Sequence, residues 1–299
     1  MSHNNPICLI DADVIAFAGA SIGQDKEVDD DGEVVINVHR FTNVESYIVN
    51  MVESIMEACE STSTPYMFLS GKTNFRFEVA TVKPYKGTRP KERPFHLANA
   101  RAFIQSRYNT YTSVGCEADD LMAMAMTSYR KQDIPSIICT VDKDLLQVEG
   151  WHYRWEGHNF GETLPHFVDK LRTLEGAYDE GVSEKTKKPY KKFISKSIKG
   201  DGYLWLMAQT LLGDVVDNIP GLEGCGPKAT YELLHGTTSC IDALDLVVGA
   251  YRDKYGDDSW EERLTEQARL VYMVKERDPK SPDGLKHWSL KDAYKEAST

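Results

Sequence analysis

Residues 213–229 read Gly213-Asp214-Val215-Val216-Asp217-Asn218-Ile219-Pro220-Gly221-Leu222-Glu223-Gly224-Cys225-Gly226-Pro227-Lys228-Ala229. Pro227 suits the first position of a helix, where its missing N–H is not needed. A tight glycine turn exposes backbone amides, and a helix N-terminus adds partial positive charge, so the stretch predicts a phosphate site. Such a turn often only joins two helices, but its position directly after Asp214 and Asp217 makes the phosphate interpretation more specific.

Nine acidic residues stand in four short clusters, most of them after a β-prone apolar run. The runs at residues 7–10, 111–114 and 137–140 predict strands of one sheet that deliver acids at their carboxyl ends. Carboxylate oxygens gathered there suit Mg2+ or Mn2+. The clusters are Asp11 and Asp13; Glu117, Asp119 and Asp120; Asp142 and Asp144; Asp214 and Asp217.

Each cluster taken alone also has a structural explanation. Glu117 and Asp120 share a helix face and could complement the positive end of the helix dipole. The other pairs could belong to turns or helix ends. Together they are harder to dismiss, because ionised acids about 5 Å apart repel by roughly 3 kcal/mol per pair at an effective dielectric of 20. If the clusters converge, cations are required.

The chain has 299 residues, 41% of them hydrophobic, and a net charge of −11, which predicts a globular protein with a sizeable core. No basic region precedes an apolar one at the N-terminus, and no eighteen apolar residues run together. These features predict a cytoplasmic protein without membrane contact. Six cysteines without a C-x-x-C pair favour reduced core thiols over disulfides or zinc.

Two basic segments weaken the objection that the negative charge raises against a nucleic-acid partner, because the local field matters more than the total. Residues 83–93 carry five bases against one acid, with Tyr85 among them, and suit phosphate contacts plus base stacking. The alternative is a solvated loop. Residues 184–199, rich in lysine, fit either a DNA-gripping hairpin or a solubilising insertion.

Alternating β and α patterns predict an α/β fold with a mostly parallel, doubly covered sheet, followed by a helical region from residue 202. A hairpin or loop is expected at residues 24–38, and Thr42 with Glu45 forms a capping-box signature. The predicted helices are residues 42–60, 95–107, 118–129, 203–212, 228–235, 239–255 and 260–276, and two further strands are residues 66–69 and 151–155.

The glycine-rich stretch closely resembles the 5′-nuclease family of flap endonucleases and 5′→3′ exonucleases. Glu117-Ala118-Asp119-Asp120, Asp142-Lys143-Asp144 and Asp11 resemble the acidic motifs of that family in order. Tyr85-Lys86-Gly87-x-Arg89 resembles the segment at the base of its helical arch. The resemblance covers residues 6–235 and is strongest to the stand-alone bacteriophage exonucleases.

The resemblance implies a PIN-like α/β nuclease region at residues 1–200, with a basic arch segment at about 83–107. It further implies a helical region at residues 201–299 whose helix–three-turn–helix module, at about 203–235, grips duplex DNA. The implied cofactors are two Mg2+ or Mn2+ ions, with K+ at the turn in some members. The implied partner is DNA with a 5′ end or flap, or an RNA–DNA hybrid, bound by a monomer.

By the same resemblance, the activity is 5′→3′ exonuclease or 5′-flap endonuclease cleavage by a two-metal mechanism, in phage-type replication or recombination. All nine acids are expected to hold metal, with Asp11 and Asp120 at the reacting centre. Lys86 and Arg89 are expected to stabilise charge on the scissile phosphate. The expected DNA contacts are Tyr85, Lys86, Arg89, Lys91, Arg93, Gly221, Gly224, Gly226 and Lys228.

One position departs from the family pattern. Ser70 follows the strand at 66–69, where the family usually has Asp, so either Asp13 takes over that role or one metal binds more weakly. A DNA-binding protein with a decayed metal site is therefore one alternative. A haloacid-dehalogenase-like phosphatase that uses Asp11 and Asp13 is another, but it leaves the glycine turn and the basic segments unexplained.

Overall fold

The computed structural model describes residues 5–29, 31–155, 164–183, 188–256 and 258–298. The strands are β1 Ile7–Asp11, β2 Gln24–Val28, β3 Val34–Val38, β4 Tyr66–Leu69, β5 Asn109–Thr112, β6 Ser136–Cys139, β7 Gly150–Tyr153, β8 His166–Val168, β9 Leu174–Glu175, β10 Tyr178–Val182, β11 Pro189–Phe193 and β12 Lys199–Gly200. The helices are α1 Ala12–Ile22, α2 Phe41–Ala58, α3 Arg76–Val79, α4 Leu97–Arg107, α5 Ala118–Lys131, α6 Gly202–Leu212, α7 Pro227–Leu234, α8 Cys240–Tyr255, α9 Trp260–Val271 and α10 Leu290–Ala297.

Six strands form the central sheet in the order β5-β4-β1-β6-β7-β8, and only β8 runs antiparallel to its neighbour. Parallel strands need crossover helices, which cover both faces of the sheet. The predicted PIN-like fold, a mostly parallel sheet flanked by helices with a helical C-terminal region, is confirmed. The carboxyl ends of β1, β4 and β6 meet at one edge.

The two faces of the sheet follow the alternation of side chains along β1. Cys8 and Ile10 join a buried cluster with α1, α2 and α4, while Leu9 packs against α5 on the opposite face. Hydrogen-bonded β4 and β6 flank β1 on either side. This fully buried strand therefore holds Asp11 in a fixed position at the edge.

The helical C-terminal region shares its core with the α/β half of the chain. α6 is buried along almost its whole length, and Phe75, Tyr85 and Cys116 join the same apolar cluster as α8 and α9. Shared packing of this kind makes the two halves interdependent. A domain boundary near residue 200 stays a prediction.

The structure corrects several sequence-based expectations. Helix α1 was not predicted, because it is apolar on nearly every side and lacks an amphipathic period. The prediction of a capping box at Thr42 is wrong, since α2 begins at Phe41 and has no side-chain cap. Helix α9 ends at Val271 rather than residue 276, and the tail contains the unpredicted α10.

The hairpin expected at residues 24–38 is confirmed. Residues 24–38 contain the β2–β3 hairpin. All six cysteines are free thiols, and five of them are buried. Part of the lysine-rich segment forms the β10–β11 hairpin, while Lys185 and Lys187 lie outside the described residues. Within the described ranges, no helix is both long and apolar enough to span a bilayer.

Candidate metal and phosphate site

Asp11 ends β1 and begins α1, so its position is fixed by both elements. Its Oδ1 accepts a hydrogen bond from the Val14 amide (3.2 Å), and its Oδ2 accepts one from the Thr140 hydroxyl beyond β6 (2.8 Å). Burial raises the pKa of Asp11 to about 7, and the neighbouring charges of Asp13 and Asp142 add to the rise. The β1 and β6 ends therefore form one acidic edge.

Asp142 lies in the loop that follows β6, and Asp144 begins the short 3-10 helix Asp144–Gln147. Asp142 accepts a hydrogen bond from the Asp144 amide (2.8 Å), and Arg154 donates to the carbonyls of Val141 and Asp142 (2.7 and 2.8 Å). Gln209 of α6 donates to Asp144 (2.6 Å). Burial, followed by repulsion from Asp142, raises the pKa of Asp144 to about 7. The loop is thus held from two sides.

Asp214 and Asp217 lie in a turn after α6. Asp214 accepts a hydrogen bond from the Val216 amide (2.7 Å) and one from Lys143 (2.8 Å). Burial opposes ionisation of Asp214, but Lys143 and the backbone donors lower its pKa below the usual value. The charges of Asp214 and Asp217 in turn raise the pKa of Asp142, after burial. The turn is therefore electrostatically coupled to the β6 loop.

Two glycines make this turn possible. Gly213 and Gly221 have φ values of +67° and +66°, and a Cβ on Gly213 would lie 2.1 Å from the carbonyl oxygen of Ile219. The Gly221 amide donates to Gln267 (2.9 Å), so it is not free to bind phosphate as predicted. Its role is to close the turn.

The other predicted phosphate contacts of this stretch lie open. A Cβ added to Gly224 or to Gly226 would meet no atom within 4 Å beyond its chain neighbours, and Gly226 precedes α7 as its N-cap. Lys228 is exposed in the first turn of α7. These residues leave the amides at the start of α7 accessible to an anion.

The predicted arch segment is docked on the acidic turn. The Lys86 amide donates to the Asp217 carbonyl (2.8 Å), and Asn218 donates to the Pro84 carbonyl (2.8 Å). The Lys86 ammonium pairs with Glu117, and the Arg89 guanidinium pairs with Asp217. Both predicted phosphate-binding cations therefore lie among the acids, while Lys91 and Arg93 are exposed in the following loop.

Tyr85 is buried rather than exposed. Its hydroxyl lies 2.8 Å from a carboxylate oxygen of Glu117 and 2.8 Å from one of Asp217. Burial and the charge of Glu117 raise its pKa well above the usual value, so the phenol stays neutral. The exposure needed for the predicted base stacking is absent, and Tyr85 instead bridges two acids.

Asp120 occupies a different environment from the other acids. It is fully buried, and both of its carboxylate oxygens accept hydrogen bonds from Arg76 (2.7 and 2.9 Å). It also accepts from the Val274 amide (2.9 Å) and from the Glu117 amide (3.0 Å), which closes a capping box on α5. These contacts assign Asp120 a structural role and do not support the predicted metal ligation.

Asp119, in contrast, faces the acidic edge. Burial raises its pKa well above the usual value, and the charges of Asp11 and Asp142 are the next causes. Burial opposes ionisation of Glu117, but Arg76 and Lys86 lower its pKa below the usual value. Asp119 and Glu117 therefore extend the edge toward the docked arch segment.

Asp13 reaches the end of β4 from α1. Its Oδ2 accepts a hydrogen bond from the Ser70 amide (2.7 Å), and its Oδ1 pairs with Arg101 of α4. The carboxylate thus lies at the strand end where the resemblance implies an acid. Sequence reasoning missed both Arg101 and Arg76, because no local motif marks an arginine whose partner is distant in sequence.

Four side-chain cations alternate with the acids along this edge: Lys86, Arg89, Arg101 and Lys143. They offset the repulsion that converging carboxylates would otherwise produce. Among the residues that the structure describes, no three carboxylates bring their oxygens within 4.8 Å of one another. The acids therefore line an extended edge rather than a single closed cage.

Comparisons with known proteins agree with this fold. Residues 7–155 match the model of the 5′-3′ exonuclease, N-terminal resolvase-like domain. The structure superposes on the T5 D15 protein co-crystallised with metal ions (TM-score 0.53, 15% identity, 89% of each chain). It also superposes on T5 5′-exonuclease with bound zinc (TM-score 0.52, 17% identity, 89% of each chain).

Curated relatives give the same result at the level of sequence. DNA polymerase I of Bacillus subtilis is 26% identical over 92% of this chain, and the 5′-3′ exonuclease of Aquifex aeolicus is 29% identical over 40% of it. The chain spans only 28% and 33% of the length of these relatives. The fold is that of the PIN-like nucleases. Within that class, residues 7–155 of the chain belong to the 5′-3′ exonuclease family, as its N-terminal resolvase-like domain.

Proposed function

We propose that this protein is a divalent-metal-dependent 5′-nuclease that hydrolyses phosphodiesters of DNA with a 5′ end or flap. The observation that carries the proposal is the docking of Lys86 and Arg89 onto carboxylates supplied by separate segments of the chain. An acidic edge alone is compatible with many kinds of metal-binding protein. Cations paired with those acids favour a substrate phosphate that contacts both the metal ions and the protein.

We infer that the acidic edge binds two Mg2+ or Mn2+ ions, because these ions prefer hard oxygen ligands and the edge is lined by carboxylates. The candidate ligands are Asp11, Asp13, Glu117, Asp119, Asp142, Asp144, Asp214 and Asp217. When bound, such ions activate water and stabilise the leaving oxygen of a scissile phosphate. Asp120 is left out of the set because Arg76 occupies both of its oxygens.

The cations of the arch segment have a defined task in this proposal. Lys86 and Arg89 now neutralise Glu117 and Asp217. With Glu117 and Asp217 holding metal, Lys86 and Arg89 would be free to bind the scissile phosphate and to stabilise charge that develops on it during cleavage. The neutral Tyr85 hydroxyl lies within hydrogen-bond distance of Glu117 and Asp217. It would keep both carboxylates oriented when Lys86 and Arg89 leave them.

Duplex DNA is the proposed partner of the glycine turn. The amides around Gly224 and Gly226 and the exposed Lys228 suit a backbone phosphate, and K+ at the turn would add to this site. Phosphate contacts position a duplex without reading its sequence. Cleavage of RNA primers in RNA–DNA hybrids, action as a monomer and a role in phage-type replication or recombination belong to the same proposal.

Asp13 is proposed to replace the acid missing at Ser70. Its carboxylate already lies at the end of β4, held by the Ser70 amide (2.7 Å). We expect Asp13→Ala to impair cleavage severely at limiting Mg2+, because one ligand is lost. Unchanged activity at limiting Mg2+ would reject this compensation. Asp253→Asn, an exposed acid on α8, is the control and should retain full activity.

The function itself is tested with a 5′-flapped duplex labelled at the 3′ end of the cleavable strand. We expect Mg2+-dependent shortening that is lost in Asp144→Asn and kept in Asp253→Asn. The product ladder separates stepwise exonuclease action from a single junction cut. An intact strand in both Mg2+ and Mn2+, with the duplex still bound, would establish the DNA-binding alternative. Release of phosphate from a small phosphoester would instead favour the phosphatase.

A further inference from the structure

A cluster of three cysteines lies in the core on one face of the central sheet. Cys8 belongs to β1, Cys139 belongs to β6, and Cys59 follows the C-terminus of α2. Their sulfur atoms all lie within 4.8 Å of one another, and all three side chains are buried. The acidic edge uses none of them.

The sheet register explains why these thiols meet. β1 and β6 are parallel neighbours in which Cys8 pairs with Ile137 and Ile10 pairs with Cys139. Side chains two residues apart share a face, so Cys8 and Cys139 are diagonal neighbours on the same face. The end of α2 crosses that face and brings Cys59 against both Cys8 and Cys139. Three separate elements therefore direct sulfur to one point.

The distance between the Cys59 and Cys139 sulfurs matches that of two ligands around a thiophilic ion. Cys59 Sγ and Cys139 Sγ lie 3.8 Å apart. With metal–sulfur bonds of about 2.3 Å, two thiolates on one ion lie about 3.8 Å apart in tetrahedral and about 4.0 Å apart in trigonal geometry. An S–S bond is about 2.0 Å long, so this spacing fits a shared ion better than a disulfide.

The surroundings of the cluster favour a soft cation. The neighbouring residues Ile10, Ile55 and Met67 are apolar and buried. Hard ions such as Mg2+ need several oxygen ligands, whereas thiolates select soft d10 ions.

We propose that Cys8, Cys59 and Cys139 form a buried, thiolate-lined site for a single soft d10 cation, separate from the carboxylate edge. Binding forms three metal–sulfur bonds and releases to solvent the protons that the thiols carried. The divalent charge offsets most of the negative charge of the three thiolates, which would be too costly to bury alone.

The test is a titration of the full-length, reduced and chelator-stripped chain with Cd2+ in the presence of excess Mg2+. Thiolate-to-cadmium charge transfer absorbs in the ultraviolet, and carboxylate ligands give no such band. We expect the band to saturate at one Cd2+ per chain. Cys8→Ser, Cys59→Ser and Cys139→Ser should each weaken Cd2+ binding by about tenfold or more, since even the loss of a residue that only supports a ligand costs about that much.

Cys116→Ser and Cys240→Ser are the matched controls, because both thiols are buried but lie outside the cluster. Circular dichroism confirms that each variant is folded, and Cys59→Ala is a second variant if serine proves disruptive. Absence of the band in the wild-type chain would overturn the proposal. The proposal would also be overturned by a band that persists in the Cys8, Cys59 and Cys139 variants, or by one that the control substitutions reduce as much as those variants do.

Discussion

At the scale of single residues, Arg76 and Asp120 show how one pair can decide which acids are available for chemistry. Arg76 is 1% exposed and also donates to the carbonyls of Leu270 (2.9 Å) and Tyr272 (2.7 Å). It thereby joins the start of α5 to the end of α9. Asp120, although part of an acidic motif, uses its carboxylate oxygens for hydrogen bonds at this junction.

We expect Arg76→Ala to lower the free energy of unfolding by about 3–5 kcal/mol, because Asp120 would be left as an unpaired buried charge. Urea unfolding measures the change. Arg130→Ala is the control, since Arg130 pairs with Glu149 at the surface and such pairs contribute about 0–1 kcal/mol. Equal losses in the two variants would contradict the structural role of Arg76.

At the scale of elements, the turn between α6 and α7 combines backbone geometry with charge placement. Its residues 214 and 219 form a short antiparallel bridge, and the arch segment docks on its outer side. Displacing the backbone here moves Asp214, Asp217 and the docked Lys86 together. The hairpin β10–β11 is the second element with a proposed role, since it presents lysines beside α7.

We expect Gly213→Ala to lower the free energy of unfolding by about 1–3 kcal/mol, because φ is +67° and the new Cβ would clash with the Ile219 carbonyl. Cleavage should fall as well. Gly249→Ala is the control, since Gly249 lies in α8 with open space around it, and it should be neutral or stabilising. Both properties are measured on the same preparations by urea unfolding and the flap assay.

The hairpin prediction concerns salt dependence. We expect neutralisation of Lys188, Lys191 and Lys192 to flatten the dependence of duplex binding on salt by about 0.9 log unit per lost phosphate contact. Binding is measured in EDTA, so that cleavage does not intervene. Replacing the exposed Lys254, Lys291 and Lys295 of α8 and α10 removes the same charge. If both triple variants have the wild-type slope, the hairpin serves solubility.

At the scale of the whole molecule, the acidic edge exists because segments more than 200 residues apart in sequence meet around the sheet. Asp11 comes from the first strand and Asp217 from the turn beyond α6, and α6 is held against the β6 loop by Gln209 (2.6 Å to Asp144). Burial, followed by the charges of neighbouring carboxylates, raises the pKa of Asp11 and Asp144 to about 7.

This elevation predicts that Mg2+ binding depends on pH. Below about pH 7 the folded protein holds protons on Asp11 and Asp144 that Mg2+ must displace, so affinity should fall by about tenfold per pH unit for each proton displaced. Without divalent ions, these acids also make stability depend on pH. The folded state binds their protons more tightly than the unfolded state does. Their contribution to stability is therefore present at low pH and is lost as pH rises from 3.8 to about 7.

Calorimetric titration with Mg2+ between pH 6 and pH 8 tests the linkage. Asp144→Asn removes one of the two proton-linked groups and should flatten the pH dependence, whereas Asp253→Asn should leave it unchanged. Affinity that is constant or rises toward pH 6 would contradict the raised pKa values. The same titration in buffers of different ionisation enthalpy gives an independent count of the protons that Mg2+ displaces.

Elements with strong local patterns can be predicted from the sequence alone. Apolar runs located β4 to the residue and β1 and β6 to within one residue, and the glycine spacing located the turn before α7. The sequence also identified Lys86, Arg89 and eight acids that the fold brings to one edge. These features are predictable because periodicity, φ requirements and motif spacing act over short distances along the chain.

The different roles of the candidate site residues follow instead from long-range contacts in the fold. The fold placed Asp120 against Arg76, buried Tyr85 against Asp217, tied the Gly221 amide to Gln267 and brought Asp13 to the end of β4. It also ended α9 early, because the following backbone amides donate to side chains of the α/β half. Each of these outcomes rests on a contact between residues 44 or more positions apart, and burial, charge pairing and hydrogen bonding at that range leave no local pattern in the sequence.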